Sequence, residues 1–394
     1  MLVIVAPGQG AQAPGFLSPW LELPGFEERL QWLAAVADLD LLHFGTEADA
    51  DTIRDTAVAQ PLLVASGLVS LLSLFPHPAD AFGKVGVGAG HSVGEITAAA
   101  AAGVMSAEQA MVFVRERGKA MKAAAAVTET GMTAVLGGDQ ETVVAAIEKH
   151  GLTAANINGA GQIVAAGTTE DLARFHDDPP EGARLRPLSV AGAFHTHHMA
   201  PAVSTLAGYA RAIYTHDART RLLSNADGGV VQTGREYLAH LVQQVSSPVR
   251  WDLCMQTMTD LGVTALIEVP PAGTLAGLAK RAMPGVEVVA LKTPDDLDAA
   301  RDLVERHGTP SLLDSSPSWR MLVAPAKGMF RRGVAAVGDD LEPGAIAGIV
   351  ATNRGEQPVV APHGGTVVEW LVEDGDPISP GQPVVRLHPH EGLS

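Results

Sequence analysis

The sequence predicts an α/β chain that gives way to an all-β C-terminal part. Three observations lead there. At 394 residues the chain is too long for one ordinary core and calls for two or three domains. Apolar residues make up 46% against 4% aromatics, with 42 glycines, which suits compact α/β layers joined by tight turns. Beyond residue 318 a Val- and Gly-rich segment repeats itself, a pattern of strands and turns.

The elements follow in order. Met1-Leu2-Val3-Ile4-Val5-Ala6 is a buried strand that runs into the turn Pro7-Gly8-Gln9-Gly10. Helices are expected over 26–38 and 59–75, and a short strand over 84–89. That strand ends just before Gly90-His91-Ser92-Val93-Gly94-Glu95, and helices follow over 94–102 and 106–126. Residues 129–193 read differently: strand 132–136, helix 141–150, strands 154–157 and 162–166, helix 169–176, strand 185–190. That β-α-β-β-α-β order is ferredoxin-like. It is expected as an insertion into a larger α/β domain made of 1–128 and 194–304. The larger domain resumes with helices at 200–213 and 234–245, a strand at 265–269, a helix at 274–282 and a strand at 286–290. Residues 305–318, with Gly308, Pro310, four serines and Pro317, read as a linker to a β domain at 319–394. Within that domain Val323-Ala324-Pro325 recurs as Val360-Ala361-Pro362. The same offset of 37 pairs Gly328 with Gly365, Gly338 with Gly375, Asp339 with Asp376, Pro343 with Pro380 and Gly344 with Gly381. Two similar β halves about a pseudo-twofold axis are expected.

Charge and cysteine usage exclude several function classes. A net charge of −17 argues against nucleic-acid binding and against docking on an anionic membrane. The single cysteine, Cys254, rules out an intrachain disulfide and reads as a small core residue. The first residues lack the basic region of a signal peptide, and no stretch is read as approaching 18 lipid-compatible residues. A soluble, cytoplasmic protein is expected.

The chemistry centres on Ser92. Gly-x-Ser-x-Gly between a strand and a helix places the serine on a strained turn, an α/β-hydrolase-like elbow. The next backbone N–H there can bind a developing oxyanion. A serine needs a base within reach, and of 14 histidines His195 is the choice, in Gly192-Ala193-Phe194-His195-Thr196-His197-His198. The His-x-His-His cluster could also suit a metal, but no Cys or carboxylate lies beside it, and no metal is expected. His197 and His198 read as exposed loop or helix-start residues. No aspartate stands out as a third triad member, so a backbone carbonyl could orient the imidazole instead.

Six separated motifs resemble those of the malonyl-CoA:acyl-carrier-protein transacylase family, including the acyltransferase domains of polyketide synthases. They are Gly8-Gln9-Gly10-Ala11-Gln12, Gly90 to Glu95, Arg117-Gly118 with Met121, Asn156 to Gln162, Ala193-Phe194-His195, and Gln243 to Trp251. The resemblance spans about residues 1–303. It implies that Ser92 carries malonyl as an ester and that His195 is general base, then general acid. It further implies an oxyanion hole from the N–H groups of Gln9 and Val93. Arg117 would pair with the malonyl carboxylate, and the Gln244 carbonyl would orient His195. His91, Met121, Asn158 and Phe194 fall in the substrate-binding motifs. On pattern alone Arg117 is one cation on a helix that also carries Arg115, Lys119 and Lys122. Phe194 and Val93 match the family pattern for malonyl over methylmalonyl, because a bulky Phe leaves no room for a further methyl. The partners implied are malonyl-CoA and an acyl carrier protein of fatty-acid or polyketide synthesis. Arg184 and Arg186, or Lys280 and Arg281, are weak candidates for the basic patch that carrier docking needs. Glu268-Val269-Pro270-Pro271-Ala272-Gly273 departs from the family's Gly-Pro-Gly turn and is taken as an alternative tight turn.

The C-terminal part resembles the biotinyl/lipoyl carrier fold, a flattened β-barrel of two halves. The hairpin position that holds the acceptor lysine in that family is Arg354 here, in Thr352-Asn353-Arg354-Gly355. A guanidinium cannot be biotinylated or lipoylated, so no covalent cofactor is expected. Two other functions compete with a transferase: a serine hydrolase using the same elbow, and a scaffold with a vestigial active site. Arg117 and Gln9 count against the first, and the intact set of Ser92, His195, Gln9 and Arg117 counts against the second.

Overall fold

The computed structural model describes residues 1–190, 192–310 and 320–388. It divides into two compact units, Met1–Leu313 and Asp314–Ser394. The first runs β1 (Leu2–Ala6), α1 (Phe26–Ala37), α2 (Leu41–Thr46), α3 (Thr56–Leu74), α4 (Pro78–Phe82), β2 (Val87–Gly90), α5 (Gly94–Ala101) and α6 (Ala107–Ala125). Then come β3 (Thr130–Gly137), α7 (Gln140–Lys149), β4 (Thr153–Gly159), β5 (Gln162–Thr168), α8 (Thr169–Asp177) and β6 (Ala183–Pro187). It closes with α9 (Ala200–Ala210), β7 (Arg221–Leu222), α10 (Gly234–Gln244), β8 (Val249–Arg250), α11 (Trp251–Asp260), β9 (Ala265–Glu268), α12 (Thr274–Ala282), β10 (Glu287–Ala290) and α13 (Leu297–His307).

The larger sheet is parallel, in the order β10-β9-β1-β2-β7. Its strands read as short continuous apolar runs because both faces are covered. Leu2 points into the core shared with α3, α5 and α6, whereas Val3 and Val5 point into the one shared with α11 and α12. Neighbouring strands β1 and β2 pair Ala6 with Gly90. That register sets the Gln9 turn beside the Ser92 turn at the carboxyl edge of the sheet, where open parallel sheets place their ligands.

Residues 130–187 form the second sheet, whose order β6-β3-β5-β4 with antiparallel neighbours is that of a ferredoxin-like unit. A fifth strand, β8, joins it in parallel to β4 and comes from the late Pro-Val-Arg-Trp segment. Pairing of Asn156 with Val249 and Ile157 with Arg250 carries Asn158 toward Trp251.

Several expectations are corrected. The last inserted strand stops at Pro187, not 190. Helices α11 and α13 occupy stretches to which no element was assigned. Leu297, Ala300, Leu303 and Val304 are the buried stripe of α13, a helical spacing that was there to be read. Residues 305–307 complete α13 instead of opening a linker, and 311–318 lie outside the described residues. The reading that no stretch approaches membrane-span length is also corrected. Thr56–Leu74 is 19 residues long with a mean hydropathy of 1.8, but 67% of that window is buried inside the protein, so the helix serves the core. Cys254 is fully buried in the core, as expected.

The second unit is all-β. Its strands are β11 (Arg320–Val323), β12 (Gly328–Arg332), β13 (Asp340–Leu341), β14 (Ala345–Thr352), β15 (Gly355–Ala361), β16 (Gly365–Trp370), β17 (Pro377–Ile378) and β18 (Pro383–His388). They make two four-stranded antiparallel sheets, β11-β18-β16-β13 and β15-β14-β12-β17. Exchanging each strand for its counterpart in the other half maps the first order onto the second. The 37-residue repeat is therefore a structural duplication around one core that includes Phe330, Val350, Val367 and Val385.

Candidate active site

The elbow is built from local sterics. Ser92 has φ +52°, in the left-handed region that costs a residue with a Cβ, and here the surrounding contacts enforce it. A Cβ on Gly90 would overlap the main chain of Gly94, and one on Gly94 would overlap the Ala6 carbonyl, so both motif glycines answer to close approach. Asn225 spans the turn: its Oδ1 accepts from Ser92 N at 2.7 Å and its Nδ2 donates to Gly90 O at 2.8 Å.

His195 also has a positive φ, +61°, held by a hydrogen bond from its N–H to Val245 O at 3.0 Å. Its Nδ1 lies 2.8 Å from Gln244 O and its Nε2 lies 2.7 Å from Ser92 Oγ. A carbonyl only accepts, so Nδ1 carries the proton and Nε2 is left free to accept from the serine hydroxyl. No carboxylate is needed to fix the tautomer. Burial first, and the Arg117 charge second, hold the imidazole down to about 3, so it is neutral and ready as a base at pH 7.

Arg117 is not a surface cation: it is 1% exposed. Gly118 lets α6 lie against α3, because a Cβ there would press on Thr56 O. The guanidinium donates to Gln60 Oε1 at 2.6 Å and Gln244 Oε1 at 2.8 Å, and lies 3.4 Å from Ser92 Oγ. Gln60 Nε2 in turn meets the Met121 sulfur at 3.4 Å. Burial lowers the guanidinium to about 10, with Glu95 opposing, and it stays charged near neutrality.

The remaining expected residues fall around this centre. His91 Nε2 lies 2.8 Å from Asn158 Oδ1, and its ring meets Trp251 edge-on at 5.8 Å. Phe194 is buried directly before His195, and Val93 is buried at the start of α5. Among the described residues no protein group accepts from the backbone N–H of Gln9 or Val93, so both donors are available to an oxyanion. The Gln9 side chain donates to Arg54 O at 3.1 Å, which pins its turn. His197 and His198 open a short helical turn, with His197 exposed. Among the described residues no group of three or more His, Cys, Asp or Glu side chains converges as a metal site would. Glu268 caps α12 by accepting from Gly273, Leu275 and Ala276 N–H groups, so the proline-rich turn is a helix start.

Two residues, Gln60 and Asn225, escaped the sequence reading of the site, as did the side-chain role of Glu95, and Trp251 was read only as the end of the late motif. Gln60 carried a signal, being a lone amide in the otherwise apolar turn around it on α3. Asn225 carried none, since Ser-Asn-Ala-Asp reads as an ordinary polar loop.

Known proteins share this arrangement of chain. The family model described as an acyl transferase domain matches residues 3–296 and ends before the all-β unit. The malonyl CoA-acyl carrier protein transacylase of Mycobacterium tuberculosis is 49% identical over 303 residues, covering 77% of this chain and all of that one. The Bacillus subtilis protein of the same name is 30% identical, covering 76% of this chain and 96% of its own. The crystal structure of MCAT from Mycobacterium tuberculosis superposes with a TM-score of 0.74 at 48% identity, over 76% of this chain and 99% of that one. A malonyl-transacylase solved in complex with its type II PKS acyl-carrier protein gives 0.70 at 29% identity, over 76% and 99%. With an α/β acyltransferase fold and this extent of identity, the chain belongs to the malonyl CoA-acyl carrier protein transacylase family.

Proposed function

We propose that this protein moves a malonyl group from malonyl-CoA to the phosphopantetheine thiol of an acyl carrier protein, through an ester on Ser92. The observation that carries the reading is a nucleophile 2.7 Å from its base and 3.4 Å from a buried guanidinium. A hydrolase has no use for that cation, whereas a malonyl carboxylate does. His195 Nε2 takes the serine proton as Oγ attacks the thioester carbonyl. The oxyanion takes hydrogen bonds from the N–H groups of Gln9 and Val93, the coenzyme A thiolate leaves, and the His195 proton goes to it. The carrier thiol then reverses the sequence: His195 takes its proton, sulfur attacks the ester, and Ser92 regains a proton. Arg117 holds the carboxylate throughout, a task its planar fork suits. The carboxylate also offsets the guanidinium charge that weakens His195 as a base. His91, Asn158 and Met121 shape the acyl site, and Phe194 and Val93 set its size for malonyl.

Docking needs a basic patch on an acidic protein. Arg184 on β6 and Arg281 on α12 line one cavity of about 400 Å³ with Gly137, Gly161 and Gly182. We place the carrier's acidic surface there. We read the cytoplasm as its location, in line with its similarity to bacterial transacylases.

Mixing the protein with malonyl-CoA, with and without carrier protein, tests the reading. Malonyl should appear on the carrier, with coenzyme A release in step. Steady turnover to free malonate without carrier would instead make this a hydrolase.

We also read the C-terminal unit as a biotinyl/lipoyl-like flattened barrel. Its support is the duplicated sheet order, with Arg354 in the turn of the β14–β15 hairpin, where that fold keeps its lysine. Arginine does not fit an amide-linked cofactor, so the unit is assigned docking, stability or oligomerisation. Intact mass of protein expressed with biotin and lipoate ligases present should show no increment; an increment of either cofactor would defeat this reading.

A further inference from the structure

One buried ionisable group has no part in the chemistry above. Glu95, three residues after Ser92 on the first turn of α5, is 1% exposed. Its Oε1 accepts from Asn225 N at 2.5 Å, and its Oε2 accepts from Gln244 Nε2. Gln244 is the partner common to the whole site. Its backbone oxygen holds His195 Nδ1, its Oε1 holds Arg117, and its Nε2 also reaches Ser92 O at 3.1 Å. A carboxylate buried this deeply needs an opposite charge nearby.

The charges can be followed through the reaction. In the free enzyme Arg117 balances Glu95. When malonyl occupies Arg117, Glu95 loses that balance. As His195 becomes imidazolium in the transition state, a second cation appears on the Glu95 side of the site, while the oxyanion formed with it is held apart by the Gln9 and Val93 N–H groups. An interaction satisfied in the transition state and not in the bound ground state is one that accelerates the step.

We propose that Glu95 is the counter-charge of the His195 imidazolium, acting as a positioning residue through Gln244 in place of a triad acid in direct contact with the base. This rests on the transfer reading above. Ionised Glu95 is the active form. The groups around it are Arg117 from α6, Tyr237 and Gln244 from α10, Cys254 from α11, and Asn225 and Asp227 from the loop after β7, with His195 and His91 beyond. Burial first, against the hydrogen bond from Asn225 and the Arg117 charge, pushes the Glu95 carboxyl up to about 8. Burial also raises Tyr237 and Cys254 away from neutrality and lowers His91, while Arg117 stays charged.

The test is the first half-reaction alone, the burst of coenzyme A from malonyl-CoA without carrier, between pH 6 and 9. For the wild type, the second-order rate constant of acylation should rise with pH through a midpoint near 8, gaining about tenfold from pH 7 to 9, as one proton leaves the free enzyme. Losing a directly bound triad carboxylate costs about 10⁴; one residue removed, Glu95→Gln should cost on the order of 10- to 100-fold at pH 9. Its profile should be flat. Glu95→Asp should keep a rise at a lower rate. A purely structural Glu95 would lower the rate evenly and leave the rise in place, which overturns the proposal. A flat wild-type profile overturns it without any variant. Absence of a wild-type burst at every pH would sink the transfer reading itself, a different outcome from a burst with the wrong profile.

Discussion

Ser92→Ala should leave no malonyl adduct on the intact protein and should lower transfer by on the order of 10⁵- to 10⁶-fold. The size follows from how the site is wired. In the proposed mechanism Ser92 Oγ is the atom that His195 deprotonates, and the two lie 2.7 Å apart. Thr97, the next hydroxyl along α5, is buried in the core. His195→Ala should cost about as much, and the double variant little more, because nucleophile and base act as one unit. The fold should survive Ser92→Ala, since the backbone N–H and not the hydroxyl carries the bond to Asn225. The alanine does keep a strained φ, as serine does. Intact mass after incubation with malonyl-CoA reads the adduct, and coenzyme A release reads the rate. An adduct that persists in Ser92→Ala would move the nucleophile elsewhere.

Arg117→Ala should separate acyl groups. Malonyl transfer should fall by about 2–5 kcal/mol of transition-state stabilisation, roughly 30- to 4,000-fold in kcat/KM, the range for breaking a buried charge pair. Acetyl transfer should fall little, because acetyl offers no carboxylate and the guanidinium that weakens His195 is gone. Arg117→Lys should recover only part of the malonyl rate. A lysine cannot hold Gln60, Gln244 and a carboxylate in one planar fork. Comparing kcat/KM for malonyl-CoA and acetyl-CoA in the same preparation is the measurement. Equal losses for both acyl groups would mean that Arg117 serves the fold and not the substrate.

The two substitutions also show which parts of the site were legible beforehand. Ser92 was, because its environment is local: two glycines, a strand before and a helix after. His195 was a choice among 14 histidines, settled by its motif. Arg117 was legible only through resemblance. On α6 it looks like Arg115, Lys119 and Lys122, and what removes it from the surface is the packing of α6 on α3 through Gly118.

By itself the sequence determined the β-α-β-β-α-β order of the inserted unit, the duplicated C-terminal half, the elbow and the absence of a lysine at position 354. Each of these depends on neighbours within a few residues, or on a fixed offset, so periodicity and turn chemistry are enough to reveal them. Tertiary structure alone decided the rest. Asn225 lies 133 residues from the serine it anchors, and Gln244 lies 149 from Glu95. The apolar length of α3 looks like a membrane span until its neighbours cover it. The physical reason is the same in each case. A buried polar group must be satisfied by whatever the fold brings beside it, and a linear pattern does not record which distant chain segment that will be.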